Sequence, residues 1–253
     1  MLYSLKRHPW KISARFEWSL ALVFAIPRDV AKRLLLPGLE PDCYGQWGFV
    51  AAAFVQTRRL RPGWAPSWLG RDFFLAGYRV FVRGRLPDGR RVRGLRILGS
   101  ATNSWTMSVM GSLLTHYRYR KVRVKIERNL DTLHIAVNST HGALDVDVTA
   151  ALGGTDRLPE GSPFPDLRTA RQFAGPMPFT FSYESQTGCL LAVEGVRQHW
   201  VPRAVKVEVG KLAFFESSEF GDGKLPVLAN AFCVENVEYQ WKPGVLIRLP
   251  EVE

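Results

Sequence analysis

The stretch HYRYRKVRVKIER, residues 116–128, sets six Lys and Arg residues among Tyr117, Tyr119, Val122, Val124 and Ile126. Arg118 and Arg120, with His116 beside them, are residue types that grip a carboxylate or phosphate through charge-assisted hydrogen bonds. A second cluster, VEGVRQHW, brings Glu194, Arg197 and His199 within six residues. These three suit either the mouth of an anion site or a surface hairpin.

What the first cluster can do depends on which way its side chains point. Successive residues of a strand face opposite sides. An unbroken strand over 116–126 puts His116, Arg118 and Arg120 on the side of Val122, Val124 and Ile126. If that apolar side is the inner one, the cations point inward and need water or an anion there. A bulge near Arg120-Lys121 gives the opposite arrangement, with Tyr117 and Tyr119 inside and the cations in solvent. Both arrangements remain open on the sequence.

The surrounding elements are mostly strands. Apolar runs at about 16–26 and 47–57 flank PRDVAKRLLLPGLEPD, a short helix that starts at Pro27 and stops at Pro37-Gly38. Pro87-Asp88-Gly89 joins two strand-like runs as a hairpin. In NSWTMSVMGSLL (103–114), Trp105, Val109 and Leu113 fall at helical spacing and read as the helix's core face, with Asn103 or Ser104 as its cap. Further strands are expected in LDVDVT, FTFSYE, CLLAVEGV, AVKVEVGKLAFF and NAFCVENVEYQW, and a third helix in DLRTARQFA. The pattern predicts a mainly β (α+β) chain, mostly antiparallel, forming one domain over 1–253 with two or three short helices.

Composition narrows the functions. With 34 Lys and Arg against 23 Asp and Glu, the net charge of +11 favours acidic partners. No reader motif for nucleic acid is present, so a small anionic metabolite is the expected partner and nucleic acid is not. Self-association is left open. Three distant cysteines (Cys43, Cys189, Cys233) form neither a disulfide framework nor a C-x-x-C pair, which fits a reducing, cytoplasmic setting. The run Leu20–Ile26 is far short of the roughly 20 apolar residues that span a bilayer, and Glu17 interrupts its approach, so no membrane association is expected. There is no G-x-S-x-G, H-E-x-x-H, Rossmann or Walker pattern, and the five histidines share no ligand spacing. Neither cofactor nor metal is expected.

Several segments together resemble a known family. FAIPRDVAKRLLLPGLEPD is similar to the opening strand, helix and turn of the acetoacetate decarboxylase-like superfamily. NSWTMSVMGSLLTHYRYRKVRV, SPFPDLRTARQFAGPMPFTFSYE, VEGVRQHWVPRAVKVEV and ANAFCVENVEYQWKPG resemble its uncharacterised YqjF-like branch, and extend the likeness over most of the chain. The resemblance implies a cone-shaped antiparallel β-barrel around a cavity for a small keto or enol acid. It also implies a lyase, a lysine forming a Schiff base that drains electrons as a carbon–carbon bond breaks. An ungapped alignment sets Tyr119 and Arg120 where the family's paired lysines stand, with Lys121 just beyond as the one candidate amine. Glu17 falls near the family's early-strand arginine. An arginine stays protonated and cannot replace the amine, so a true acetoacetate decarboxylase is not expected. The residues expected at the substrate are His116, Arg118 and Arg120, if the strand is unbroken, and Glu194 at the cavity mouth. The alternative to a lyase is a ligand-binding barrel without chemistry.

Overall fold

The computed structural model describes residues 6–173, 177–221 and 223–249. The extreme ends of the expected 1–253 domain, and Ala174 at the end of the expected third helix, lie outside the described residues. In chain order the elements begin with β1 (Ile12–Pro27), α1 (Arg28–Arg33), β2 (Glu40–Pro41), β3 (Trp47–Pro62), β4 (Arg71–Arg85) and β5 (Arg91–Thr102). Next come α2 (Trp105–Leu114), β6 (Tyr119–Lys121), β7 (Arg123–Arg128), β8 (Thr132–Asn138), β9 (Val146–Ala151) and α3 (Leu167–Phe173). The chain continues through β10 (Phe179–Glu184), β11 (Cys189–Gln198), β12 (Arg203–Ala204), β13 (Lys206–Leu212), β14 (Val227–Trp241) and β15 (Val245–Arg248).

The expected mainly β fold is present, and its large sheet closes on itself. Strands β14, β1, β3, β4, β5, β10 and β11 are hydrogen-bonded in that order, and β11 pairs back with β14 through Gly195–Gln198. The ring is mixed rather than wholly antiparallel, because β10 and β6 both run parallel to β5. A second sheet, ordered β13-β9-β8-β7, is antiparallel.

The middle stretches of β1 and β3 are buried on both faces, which is why their sequences read as unbroken apolar runs. In SLALVFAI of β1, Leu20, Leu22, Phe24 and Ile26 point outward. They pack with Phe54 of β3 and with Phe74, Val80 and Val82 of β4 against Leu133, Ile135, Val146 and Val148 of the small sheet. The alternate residues point into the ring and are small: Ser19, Ala21 and Val23 of β1, Ala51 and Ala53 of β3, and Gly77 of β4. Large side chains outside and small ones inside leave a chamber within the ring.

Two irregularities keep that inner face consistent. Between Phe16 and Trp18 the register of β1 against β3 shifts by a residue. This bulge turns Glu17 to the rim, where it accepts a hydrogen bond from Arg58 at 2.6 Å. A second shift falls between Tyr78 and Arg79, where β5 slips past Leu98. Accordingly Leu95 and Ile97 face inward before the bulge and Ser100 after it.

Ser104 caps α2 by accepting from the Met107 amide, while Asn103 ties the helix to β4 by accepting from Phe74 N at 2.9 Å. The helix does not bury the face that its spacing suggests. Trp105, Val109 and Leu113 are exposed, and Met107, Gly111 and Leu114 instead face the chamber. The chamber wall takes the narrower stripe, and the bulkier one is left to solvent. No described helix is long and apolar enough to cross a membrane.

Candidate functional site

The chamber has a volume of about 260 Å³. Its walls are mainly Ala, Val, Leu, Ile and Met, with aromatic rings from Phe16, Trp200, Tyr239 and Trp241 at one side. Set into them are two guanidinium groups, Arg79 of β4 and Arg197 of β11. Among the described residues the lining contains no carboxylate and no lysine.

Arg79 is the most unusual of these. It is the only charged residue in the run Phe73–Val82 and takes one of the inward positions. Its Nε is fully buried and has no hydrogen-bond partner. Burial pulls its pKa down, and the nearby hydroxyls of Tyr239, Tyr119 and Tyr117 pull it back only in part. A guanidinium nonetheless keeps its proton in a protein, so the chamber holds a fixed positive charge with no carboxylate among the described lining residues. Gly77, two residues earlier on the same face, makes room for it. A Cβ there would stand 3.1 Å from both Nε and one terminal nitrogen of Arg79.

Arg197 is better supported. It donates to the Met177 carbonyl at 2.8 Å and lies over the rings of Trp200 (4.8 Å) and Tyr239 (5.5 Å). Burial lowers its pKa, and Arg79 adds to the lowering through repulsion. The two cations therefore sense each other across the chamber.

Tyr117 and Tyr119 stand against each other edge to face with ring centroids 6.4 Å apart. Burial raises both hydroxyls, Tyr119 to about 12, with Arg79 pulling the other way. Both stay neutral donors, and Tyr117 is hydrogen-bonded to the Thr180 side chain. Their placement comes from α2: Gly111 lies so close to the Tyr119 ring that a Cβ would meet it at 2.6 Å. Tyr239 stacks on Phe16 at 4.7 Å, and Gly195 leaves space for its hydroxyl. The Trp200 indole N–H is a further buried donor without a partner. Two cations, three tyrosines and an unused indole N–H thus line one largely apolar chamber. Such a set receives an anion bearing an apolar body.

The basic stretch is not the single unbroken strand over 116–126. Strand β6 (Tyr119–Lys121) pairs with β5 of the ring, the chain breaks at Val122, and β7 (Arg123–Arg128) pairs with β8 of the second sheet, with the tyrosines on the chamber side. Tyr117 and Tyr119 line the chamber, whereas Val122, Val124 and Ile126 belong to the core between ring and small sheet. Arg118, Arg120 and Lys121 are exposed, and none lines the chamber; Lys121 borders a surface depression with Arg123 and Ser139. His116 is half-buried outside the chamber wall, near Glu184, which burial and charge leave as its main electrostatic neighbour. Glu194 is ion-paired with Lys242 at 2.9 Å. His199 is exposed, and of Glu194, Arg197 and His199 only Arg197 reaches the chamber. Arg79 went unnoticed in the sequence, although a single charge inside a run apolar on both faces is itself a signal.

The fold is that of acetoacetate decarboxylase-like proteins. Acetoacetate decarboxylase from Legionella pneumophila matches with a TM-score of 0.61 at 13% identity, over 93% of this chain and 87% of that one. The enduracididine biosynthesis enzyme MppR, solved in complex with pyruvate, matches at 0.58 and 14% identity, over 94% and 90%. An acetoacetate decarboxylase-like enzyme from Sphingomonas wittichii RW1 matches at 0.59 and 11%, over 96% and 95%. These likenesses establish the fold. Within it, the chain belongs to the DUF2071 family, described as an uncharacterized conserved protein, whose model matches residues 14–236. No curated protein matches the chain.

Proposed function

We propose that the ring is a receptor for a small carboxylate with an apolar body, of the keto- or enol-acid kind, held in the chamber through Arg79. The observation that carries this reading is the buried Arg79 guanidinium with an unpartnered Nε and no carboxylate in the lining. Removing a charge from water costs several kcal/mol unless a partner offsets it, and a bound carboxylate is such a partner. Arg197 lines the same chamber, and the neutral hydroxyls of Tyr117, Tyr119 and Tyr239 are donors there. The volume supports a modest ligand: a dry protein cavity of about 150 Å³ accepts benzene, and this chamber is larger at about 260 Å³. A small acid bound by MppR, a relative in fold, supports the same class of ligand.

The reading does not include Schiff-base decarboxylation. Such chemistry needs an amine at the substrate, and among the described residues no lysine lines the chamber. Isothermal titration of keto acids and aromatic carboxylates, against matched amides, tests the proposal. Carboxylates are expected to bind and amides to fail, and Arg79→Met is expected to abolish binding. Equal binding of acid and amide overturns it.

A further inference from the structure

One end of the ring is where β1 begins, β3 ends, β4 begins and β5 ends, as the antiparallel registers require. Four tryptophans project there: Trp10 is 44% exposed, Trp64 77%, Trp68 78% and Trp105 65%. They come from separate segments brought together by the fold. Gly63 donates to the Lys11 carbonyl, setting Trp64 beside the Trp10–Lys11 segment. Gly70, just after Trp68-Leu69, abuts the Arg59 backbone of β3. Asn103, which holds Phe74 of β4, immediately precedes the α2 cap and Trp105. Leu69, next to Trp68, and Val109, Met110 and Leu113, further along α2 from Trp105, are also exposed.

Basic residues outnumber acidic ones around these rings. Lys11, Arg59 and Arg71 are exposed at the strand ends. The acidic residues nearby, Glu17 and Asp72, are both engaged by Arg58, at 2.6 and 3.1 Å. Contiguous exposed apolar surface marks an interaction site. Tryptophan with Lys and Arg is the composition that settles at a bilayer's headgroup level and is drawn to anionic lipid. The two most exposed rings, Trp64 and Trp68, lie on the short connection between β3 and β4. A fluid interface accommodates such exposed rings, whereas a second copy needs a self-complementary surface.

We propose that this end of the ring docks on an anionic membrane surface, with Trp64, Trp68 and Trp105 immersed among the headgroups and Lys11, Arg59 and Arg71 against lipid phosphates. The docked surface departs from the sequence expectation of no membrane association, because hydropathy finds spans and not scattered tryptophans. Trp10 and Met110 belong both to this exposed rim and to the chamber wall, so the chamber opens within the docked face. The docking stands whether or not the chamber holds an acid.

Flotation with vesicles tests it, using phosphatidylcholine alone and phosphatidylcholine mixed equally with phosphatidylglycerol. The wild-type chain is expected to float with the mixed vesicles only, with a blue shift of tryptophan emission and quenching by brominated lipid. The combined variant Trp64→Ser, Trp68→Ser, Trp105→Ser is expected to lose binding about tenfold or more. A control at the opposite end, Arg85→Gln with Arg91→Gln, is expected to bind as wild type. No flotation on mixed vesicles overturns the proposal, and so does equal loss in the control, which would make the attraction a general effect of net charge. Concentration-dependent self-association without vesicles, abolished by the tryptophan variant, assigns the face to a second copy and overturns it as well. Quenching of the wild-type chain needs no substitution, so a poorly folding variant does not remove the test.

Discussion

The Arg79 guanidinium lies back over Gly77, two residues earlier on β4, with two of its nitrogens 3.1 Å from where a Cβ on Gly77 would stand. The glycine therefore sets the position of the charge. Gly77→Ala is expected to push the guanidinium away from its place without unfolding the ring. The affinity for a carboxylate then falls about tenfold or more, as a charged hydrogen bond is lost or bent. Calorimetry on the two chains, with circular dichroism as the control on folding, makes the comparison.

Arg79 is a cost to the fold when no anion is present. Arg79→Met keeps much of the volume and removes the charge, so the unliganded chain is expected to gain about 1–4 kcal/mol. Urea denaturation measures the gain. The same variant is expected to show no stabilisation by carboxylates that stabilise the wild type. A loss of stability instead would mean that Arg79 holds the ring together.

Filling the chamber is expected to separate binding from stability in another way. Ala53 points into it from β3. Ala53→Val adds apolar volume to empty space, so stability is expected to hold or rise by up to about 1 kcal/mol, while the larger ligands of a carboxylate series weaken most. A titration across acids of increasing size reads this out.

Acid sensitivity is expected to arise away from the chamber. Glu184 is almost fully buried and accepts two hydrogen bonds from Arg7, at 2.9 and 2.8 Å. Arg7 holds its carboxyl below the ordinary value, with a hydrogen bond from Thr187 adding to the effect. In the unfolded chain the group titrates near about 4.3. Its contribution is therefore complete above that range and is lost as pH falls through the lower folded value. Urea midpoints of wild type and Glu184→Gln are expected to differ at neutral pH and to converge in acid.

The cations that first draw the eye are expected to be silent in binding. Arg118→Ala and Arg120→Ala remove exposed side chains outside the chamber wall. Carboxylate affinity measured for each should match wild type, and a large loss would mean that the strand turns over on binding.

The strands, the Pro87-Asp88-Gly89 hairpin and the capped helix α2 were all legible, because periodicity and turn chemistry are local. The direction of residues 116–126 was not. Alternation separates two faces, but it does not say that the chain leaves the ring after Lys121 and enters the second sheet at Arg123, so that Val124 and Ile126 pack from that sheet onto the ring. The same gap misplaced Trp105, Val109 and Leu113, whose helical spacing is genuine but faces outward. Arg197 was within reach as part of VEGVRQHW, while its neighbours Glu194 and His199 turned elsewhere. Closure of the ring, which gathers Arg79 and Arg197 from β4 and β11, rests on the pairing of β11 with β14. No local pattern encodes it.

The alternation along β1 and β3 has an evolutionary reading. Leu20, Leu22, Phe24 and Phe54 fasten the ring to the small sheet, and Ala21, Ala51 and Ala53, between them in sequence, shape the chamber. Adjacent codons thus answer to different demands, one parity of the strand to endurance and the other to selectivity. A lineage can reshape the chamber through its small residues while the fastening of the ring stays untouched.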